Sequence, residues 1–182
     1  VATERASSLE PEYVVLGLLL DRPCHGYDLD RRLQREYRAL WHIPQNQLYG
    51  ILKRLERRGD IVGEDHSSVA GRMRRQYTVA RQGRVRFQRW LERPTPASVR
   101  ALRVAFLTRL SLAMANDRQK AMRIFDAQRK ALEIGVARLK ELRGPSSELG
   151  GLERLSLDLR IRQLETTLAW MDDARVGLGL SA

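Results

Sequence analysis

The chain has 182 residues, room for one domain or two small ones, and its 43% hydrophobic content argues for a packed core over disorder. Its 33 Lys and Arg outnumber its 22 Asp and Glu for a net charge of +11, which favours a polyanionic partner, nucleic acid before anionic membrane. The lone cysteine, Cys24, excludes an intramolecular disulfide and a cysteine-built zinc site, and no apolar run approaches the roughly 18–20 residues of a membrane span. These features, with no charged-then-apolar pattern at the N-terminus, lead us to expect a cytoplasmic protein. The missing initiator methionine leads us to expect a trimmed chain.

In chain order, Ser7 or Ser8 is the expected cap of a first helix, with Glu10 completing a capping box and Pro11 in the first turn. Val14 to Leu20 is apolar nearly all round, the mark of a helix central to its domain. A second helix is expected over His25–Tyr37, with Tyr27 or Leu29, Leu33 and Tyr37 inward. A third, over Gln45–Arg58, starts behind Pro44 and stops at Gly59. Its Leu48, Ile51, Leu52 and Leu55 form a full core stripe, opposite Asn46, Tyr49/Gly50, Lys53 and Arg57. Ile61-Val62 and the alternating Met73–Val79 then predict a β-hairpin. Arg81–Leu91 is a fourth helix, with Val85, Phe87/Gln88 and Leu91 periodic. Helix, basic hairpin, helix is the order of a winged helix-turn-helix.

The placement of charge supports that reading. Residues 1–71 carry a net −1, residues 72–93 a net +7 with eight arginines, and residues 94–182 a net +5. The excess is densest from the tip of the expected wing onward.

Pro94-Thr95-Pro96 marks the expected boundary, with a DNA-binding domain over 1–93 and a helical domain over 97–182. Beyond it lie a helix over Ser98–Leu112 and a long helix capped by Asn116 with Gln119. The long helix carries Ala121, Phe125, Gln128, Leu132, Gly135, Leu139 and Leu142 in heptad steps. A last helix carries Leu157, Ile161, Leu164, Leu168 and Met171 in the same rhythm. The fold class expected is mainly α with a small β-hairpin: an N-terminal winged helix-turn-helix and a C-terminal antiparallel helical dimerisation domain. Phe125, Leu132, Leu139, Leu157, Ile161, Leu164, Leu168 and Met171 are the expected dimerisation residues, because three helices alone make a thin core. The alternative is that these seams close within one chain.

Three blocks, Pro23–Leu33 (PCHGYDLDRRL), Leu48–Ile61 (LYGILKRLERRGDI) and Tyr77–Leu91 (YTVARQGRVRFQRWL), together resemble the PadR family of bacterial transcriptional regulators. The length and helicity of the remainder resemble its longer, Vir-type subfamily. The chain departs from the family pattern at Val79-Ala80, where Leu-Thr is usual, which leaves the fourth helix without a threonine cap. It departs again at Gly50, where proline is common. The resemblance implies a homodimer on an operator in double-stranded DNA, most often a repressor, released in some relatives by a small-molecule effector.

The candidate DNA-binding residues are Gln45, Asn46, Gln47, Tyr49 and Lys53 on the third helix, and Arg72, Arg74 and Arg75 on the wing. Asn and Gln can bond adenine bidentately, Lys53 suits phosphate or guanine, and wing arginines suit phosphate or a minor groove. Alternation puts Arg74 and Arg75 on opposite faces of the hairpin. His25, His42 and His66 lack metal-ligand spacing, no catalytic constellation stands out, and neither a cofactor nor an enzymatic activity is expected. Cys24 reads as a small buried residue. Trp41, Trp90 and Trp170 read as core or interface residues before ligand-cavity walls. The rival function is a protein-interaction adaptor that uses the same winged helix without DNA.

Overall fold

The computed structural model describes residues 10–67, 73–144 and 150–180. The chain divides into two compact units, Val1–Arg93 and Pro94–Ala182. It is mainly helical with a small antiparallel sheet, as the sequence leads one to expect. Among the described residues no helix is long and apolar enough to cross a membrane.

In the first unit α1 (Pro11–Asp21) is the central element, with Val14, Val15, Leu16, Leu18 and Leu19 all buried. Its N-cap is Glu10, directly ahead of Pro11, and not Ser7 or Ser8, which lie outside the described residues. α2 (Gly26–Tyr37) turns Leu29, Leu33 and Tyr37 inward and leaves Tyr27 exposed, which resolves that alternative in favour of Leu29. α2 also buries Arg32, whose Nη1 donates to the Leu18 carbonyl at 2.8 Å while Nη2 pairs with Asp21 at 2.8 Å. The guanidinium thereby satisfies one of the carbonyls that α1 leaves open at its C-terminus. α3 (Gln45–Arg57) buries Leu48, Ile51, Leu52 and Leu55 completely, the stripe the 3.6-residue period marks out.

The wing is β2 (Ile61–Ser67) and β3 (Met73–Val79), in register from Ile61 opposite Val79 at the base to Ser67 opposite Met73 at the outer end. A third strand, β1 (Cys24–His25), pairs with β3 through Cys24–Tyr77 and His25–Gln76, giving the order β1-β3-β2. The sequence reading has only the hairpin. Two residues are too short for a periodic signal, and their pairing is long-range. α4 (Arg81–Glu92) packs through Phe87, Trp90 and Leu91, with Trp90 stacked on Tyr13 of α1 at 4.7 Å between ring centres. Val85, read from periodicity as part of the inward stripe, is instead exposed.

α3, the wing and α4 meet at Asp60. Its amide donates to the Leu55 carbonyl at 2.9 Å, and its carbonyl accepts the Ala80 amide at 2.9 Å. Its fully buried carboxylate pairs with Arg58 at 3.0 Å and with Arg86 at 3.2 Å. Gly83 lies against this backbone so closely that a Cβ there would stand 2.1 Å from the Asp60 carbonyl oxygen. Gly59 makes the turn into β2 with φ +72°, the left-handed region that favours glycine.

In the second unit α5 (Val99–Ala101) runs through a π-helical turn, Leu102–Phe106, into α6 (Leu107–Met114). α7 (Arg118–Leu142) and α8 (Gly151–Gly177) form an antiparallel pair. Its direction is plain in cross-helix ion pairs that count up one helix and down the other: Asp126–Arg175, Arg129–Asp172, Lys140–Glu165 and Arg143–Asp158. The cap of α7 is Asp117, whose carboxylate accepts the Lys120 amide at 2.9 Å. Asn116, the expected cap, stands one position too early and donates from Nδ2 to the Leu112 carbonyl instead.

Phe125, Leu132, Leu139, Ile161, Leu164 and Met171 are all buried within this unit of a single chain, while Leu157 and Leu168 are half-buried. The first six are thus covered by their own chain. Gln128, the polar member of the seam, is also buried. It holds Thr95 by a two-point amide pairing, accepting the Thr95 amide at 2.6 Å and donating to its carbonyl at 2.8 Å.

Two substitutions test the Asp60 junction by thermal unfolding. Gly83→Ala forces a Cβ into the Asp60 backbone and is expected to cost about 2–3 kcal/mol or more. Ala80→Thr is expected to gain about 1 kcal/mol, because α4 has no side-chain cap and the backbone at Ala80 is already extended. A Gly83→Ala protein as stable as the parent would show that the close approach is not a constraint.

Candidate nucleic-acid interface

Gln45, Asn46, Gln47, Tyr49 and Lys53 are all exposed on α3, but helical geometry spreads them over different directions. Asn46, Gly50, Lys53 and Arg57 form the ridge directly opposite the buried stripe. Lys53 and Arg57 have no ion pair among the described residues. Asn46 accepts the Gln47 amide on Oδ1 at 2.8 Å, which fixes its side chain at the helix N-terminus and leaves its amide group outward. Arg57 was on the outer face in the periodic reading but not among the candidate contacts. It stands about 16 Å along the ridge from Asn46, at the usual rise of 1.5 Å per residue, and suits a phosphate.

Gln47 sits on the flank shared with Arg54, and Arg54 pairs with Glu12 of α1 at 3.3 Å. Gln47 is therefore the candidate least aligned with the ridge. Gln45 and Tyr49 lie on the opposite flank, toward α2. A Cβ on Gly26 would stand 2.8 Å from the Tyr49 ring, so the ring lies against the first residue of α2 and only partly faces solvent. Gly26 is what lets α2 and α3 approach there. Gly50 has no such neighbour, since a Cβ would meet only the flexible tip of Arg54 at 3.5 Å. Packing within the chain gives no reason for glycine at that position.

The wing separates its arginines by role. Arg74 is exposed on the outer face and has no ion pair among the described residues. Arg75, on the inner face, reaches Glu56 of α3 at 2.6 Å and Asp65 of β2 at 2.9 Å. Those two hydrogen bonds, Glu56 first, push its guanidinium still further up from its ordinary value. Gly63 makes room for this clamp: a Cβ there would lie 2.4 Å from Arg75 Nε and 2.6 Å from Glu56 Oε1. Arg75 thus ties the wing to α3 and, unlike Arg74, is already engaged with carboxylates of its own chain. Arg72 lies outside the described residues.

The arginines after the wing do not extend its tip. The strand register places Val79 six steps back from the outer Ser67–Met73 pair, about 20 Å at the usual rise. Arg81, Arg84 and Arg86 follow Val79 and so stand at the wing's base, where Arg86 pairs with Asp60. Arg81, Arg86 and Arg89 line a cleft beside Gly59 there.

The remaining candidates for chemistry find structural places. Burial pushes the Cys24 thiol up, with Arg32 pulling the other way. Trp41 and Trp90 are core residues, and Trp170 is partly exposed. Among the described residues no group of three or more His, Cys, Asp or Glu is arranged to hold a metal ion.

Hydrogen exchange and DNA affinity separate the two wing arginines. Arg75→Ala is expected to speed exchange of the β2 and β3 amides by loosening the wing from α3. Arg74→Ala is expected to leave exchange unchanged and to weaken DNA binding. Equal exchange in both variants would remove the clamp role from Arg75.

Residues 15–89 match the family model described as the transcriptional regulator PadR-like family. No curated protein matches the chain significantly. Several solved structures resemble it. Bacillus subtilis PadR in complex with operator DNA is 20% identical, with 90% of this chain and 95% of that one covered and a TM-score of 0.46. A PadR-like transcriptional regulator of Bacillus cereus is 22% identical over 94% of this chain and 99% of that one, TM-score 0.41. A Streptococcus mutans protein is 26% identical over 46% and 74%, TM-score 0.40. Over residues 15–89, within the winged-helix unit just described, the chain is similar to the transcriptional regulator PadR-like family.

Proposed function

We propose that the chain is a sequence-reading DNA-binding repressor, acting as a homodimer in the cytoplasm and belonging to the longer, Vir-type branch of its family. The observation that carries DNA binding is the α3 ridge. Asn46, Lys53 and Arg57 project together from a helix whose other side is wholly buried, and the wing beside them carries the exposed Arg74. Asn46, at the N-terminal end, is placed to read a base edge in the major groove, and Lys53 and Arg57 to take phosphates. Arg74 and Arg72 would grip the backbone or enter the minor groove. Tyr49 would offer its hydroxyl to a phosphate while its ring rests on Gly26.

We propose that the dimer also uses an exposed apolar row beside the buried seam. α8 offers one in Leu152, Leu155 and Leu159, which are 82%, 69% and 58% exposed and spaced three and four residues apart. Two copies joined through this row would carry two winged helices, whose half-sites would lie about 34 Å apart if spaced by one helical turn of DNA.

Two measurements test these readings. Arg72→Ala is expected to lower affinity for all duplexes, with the log K against log salt slope falling by about 0.9 for a lost phosphate contact. Asn46→Ala should instead change preference among sequences. No change in preference would sink the α3 reading, and a wild-type slope near zero would sink DNA binding through phosphates. For the dimer, Leu155→Arg combined with Leu159→Arg is expected to give a monomer by sedimentation with helicity retained. A dimer that survives both substitutions refutes this face.

A further inference from the structure

The first unit has a second cationic site, away from the α3 ridge. A cleft of about 490 Å³ opens between the α1–α2 connection and the flank of α2, lined by Arg22, His25, Asp28, Arg31, Arg32, Arg35 and Gln76, with Pro23 and Cys24. Four arginines face one aspartate. Arg32 is fixed at the bottom by Leu18, Asp21 and Glu36, and Arg35 is drawn to Glu36 at 2.7 Å. Arg22 and Arg31 are exposed and have no ion pair among the described residues. His25 lies on the wall of the cleft. Gln76, opposite His25 in the β1–β3 register, supplies an amide on the same wall.

We propose that this cleft binds an oxyanion of the phosphate class, held by Arg22 and Arg31 with the Gln76 amide as a neutral donor. Guanidinium forks match the tetrahedral oxygens of such a group, and a neutral donor adds to its shell without further charge. Asp28 at the rim favours an oxyanion that is still protonated or that carries a donor of its own. The site touches β1, β3 and the start of α2, so an occupant bridges the wing to the helix on which Tyr49 rests. Two sources could supply the group: a phosphate of the DNA backbone beyond the α3 footprint, or a free small anion.

The test uses the full chain and the double variant Arg22→Ser, Arg31→Ser, both positions being exposed. Thermal midpoints are taken in sodium phosphate and in sodium chloride at equal ionic strength, each protein against its own chloride value. Phosphate is expected to raise the wild-type midpoint, and the double variant to lose most of that rise. The salt dependence of duplex binding then identifies the source. A slope lower by about 1.8 in the variant means that two backbone contacts were lost, whereas an unchanged slope means that the site takes a free anion. A phosphate-induced rise equal in wild type and variant, zero included, overturns the proposal whatever the slope does.

Discussion

The geometry of the first unit depends on a single buried carboxylate. Asp60 stands where α3 ends and the wing begins, and it is held from four directions: by Leu55 and Ala80 through its backbone, and by Arg58 and Arg86 through its side chain. Removing a carboxylate from water is expensive, and the return from its partners need not exceed that cost, so the pair is weak evidence of stability as such. What it supplies is position. Arg86 belongs to α4, Ala80 to the end of β3 and Leu55 to α3, so three elements are fixed to one another at one residue. Gly83 then closes the junction because no side chain fits against the Asp60 carbonyl. The proposed reading has the helix and the hairpin meet one DNA duplex together, which needs a fixed angle between them, and this junction sets it from the base of the wing.

The Arg75 clamp sets the same angle from further out. It joins β3 to α3 and β2 at mid-wing, and Gly63 leaves the space for it. The two devices together explain a feature of the charge pattern that composition alone obscures. The run of arginines over 72–93 looks like one basic surface in sequence. Among the described residues it divides into Arg74 on the outer wing with no ion pair, Arg75 tied to Glu56 and Asp65, and a group at the wing's base where Arg86 is tied to Asp60. Charge that appears devoted to a polyanion is in part structural.

What could be read in advance follows from the range of each interaction. The α3 stripe, the hairpin and the antiparallel long helices were legible because each repeats a local period that burial then obeys. Val85 misled because periodicity alone cannot fix which of two neighbouring stripes faces inward, and Trp90 took the place beside Phe87. The two-residue β1 was invisible because it has no period and pairs with a strand some fifty positions later. Asn116 and Asp117 are both competent caps, and only the observed start of the helix chooses between them. Alternation put Arg74 and Arg75 on opposite faces, but it could not say that Glu56 and Asp65 wait on one of them. Of the α3 candidates, outward exposure was legible for all five, while their division among a ridge and two flanks required the positions of α1 and α2.

The heptad seams carry the sharpest lesson about what a pattern means. A 4,3 spacing states that a helix has an apolar seam and nothing about whose helix covers it. Here α7 and α8 cover each other within one chain, and the buried Gln128 is satisfied by Thr95 at the start of the same unit. A buried amide in a seam is often read as a device for aligning two chains. Here one lone pair and one N–H are already bonded to the Thr95 backbone, so only the second of each is left for such a task. Apolar surface outside the seam pattern is exposed as well, the Leu152, Leu155 and Leu159 row of α8 among it, and the proposed dimer draws on that row.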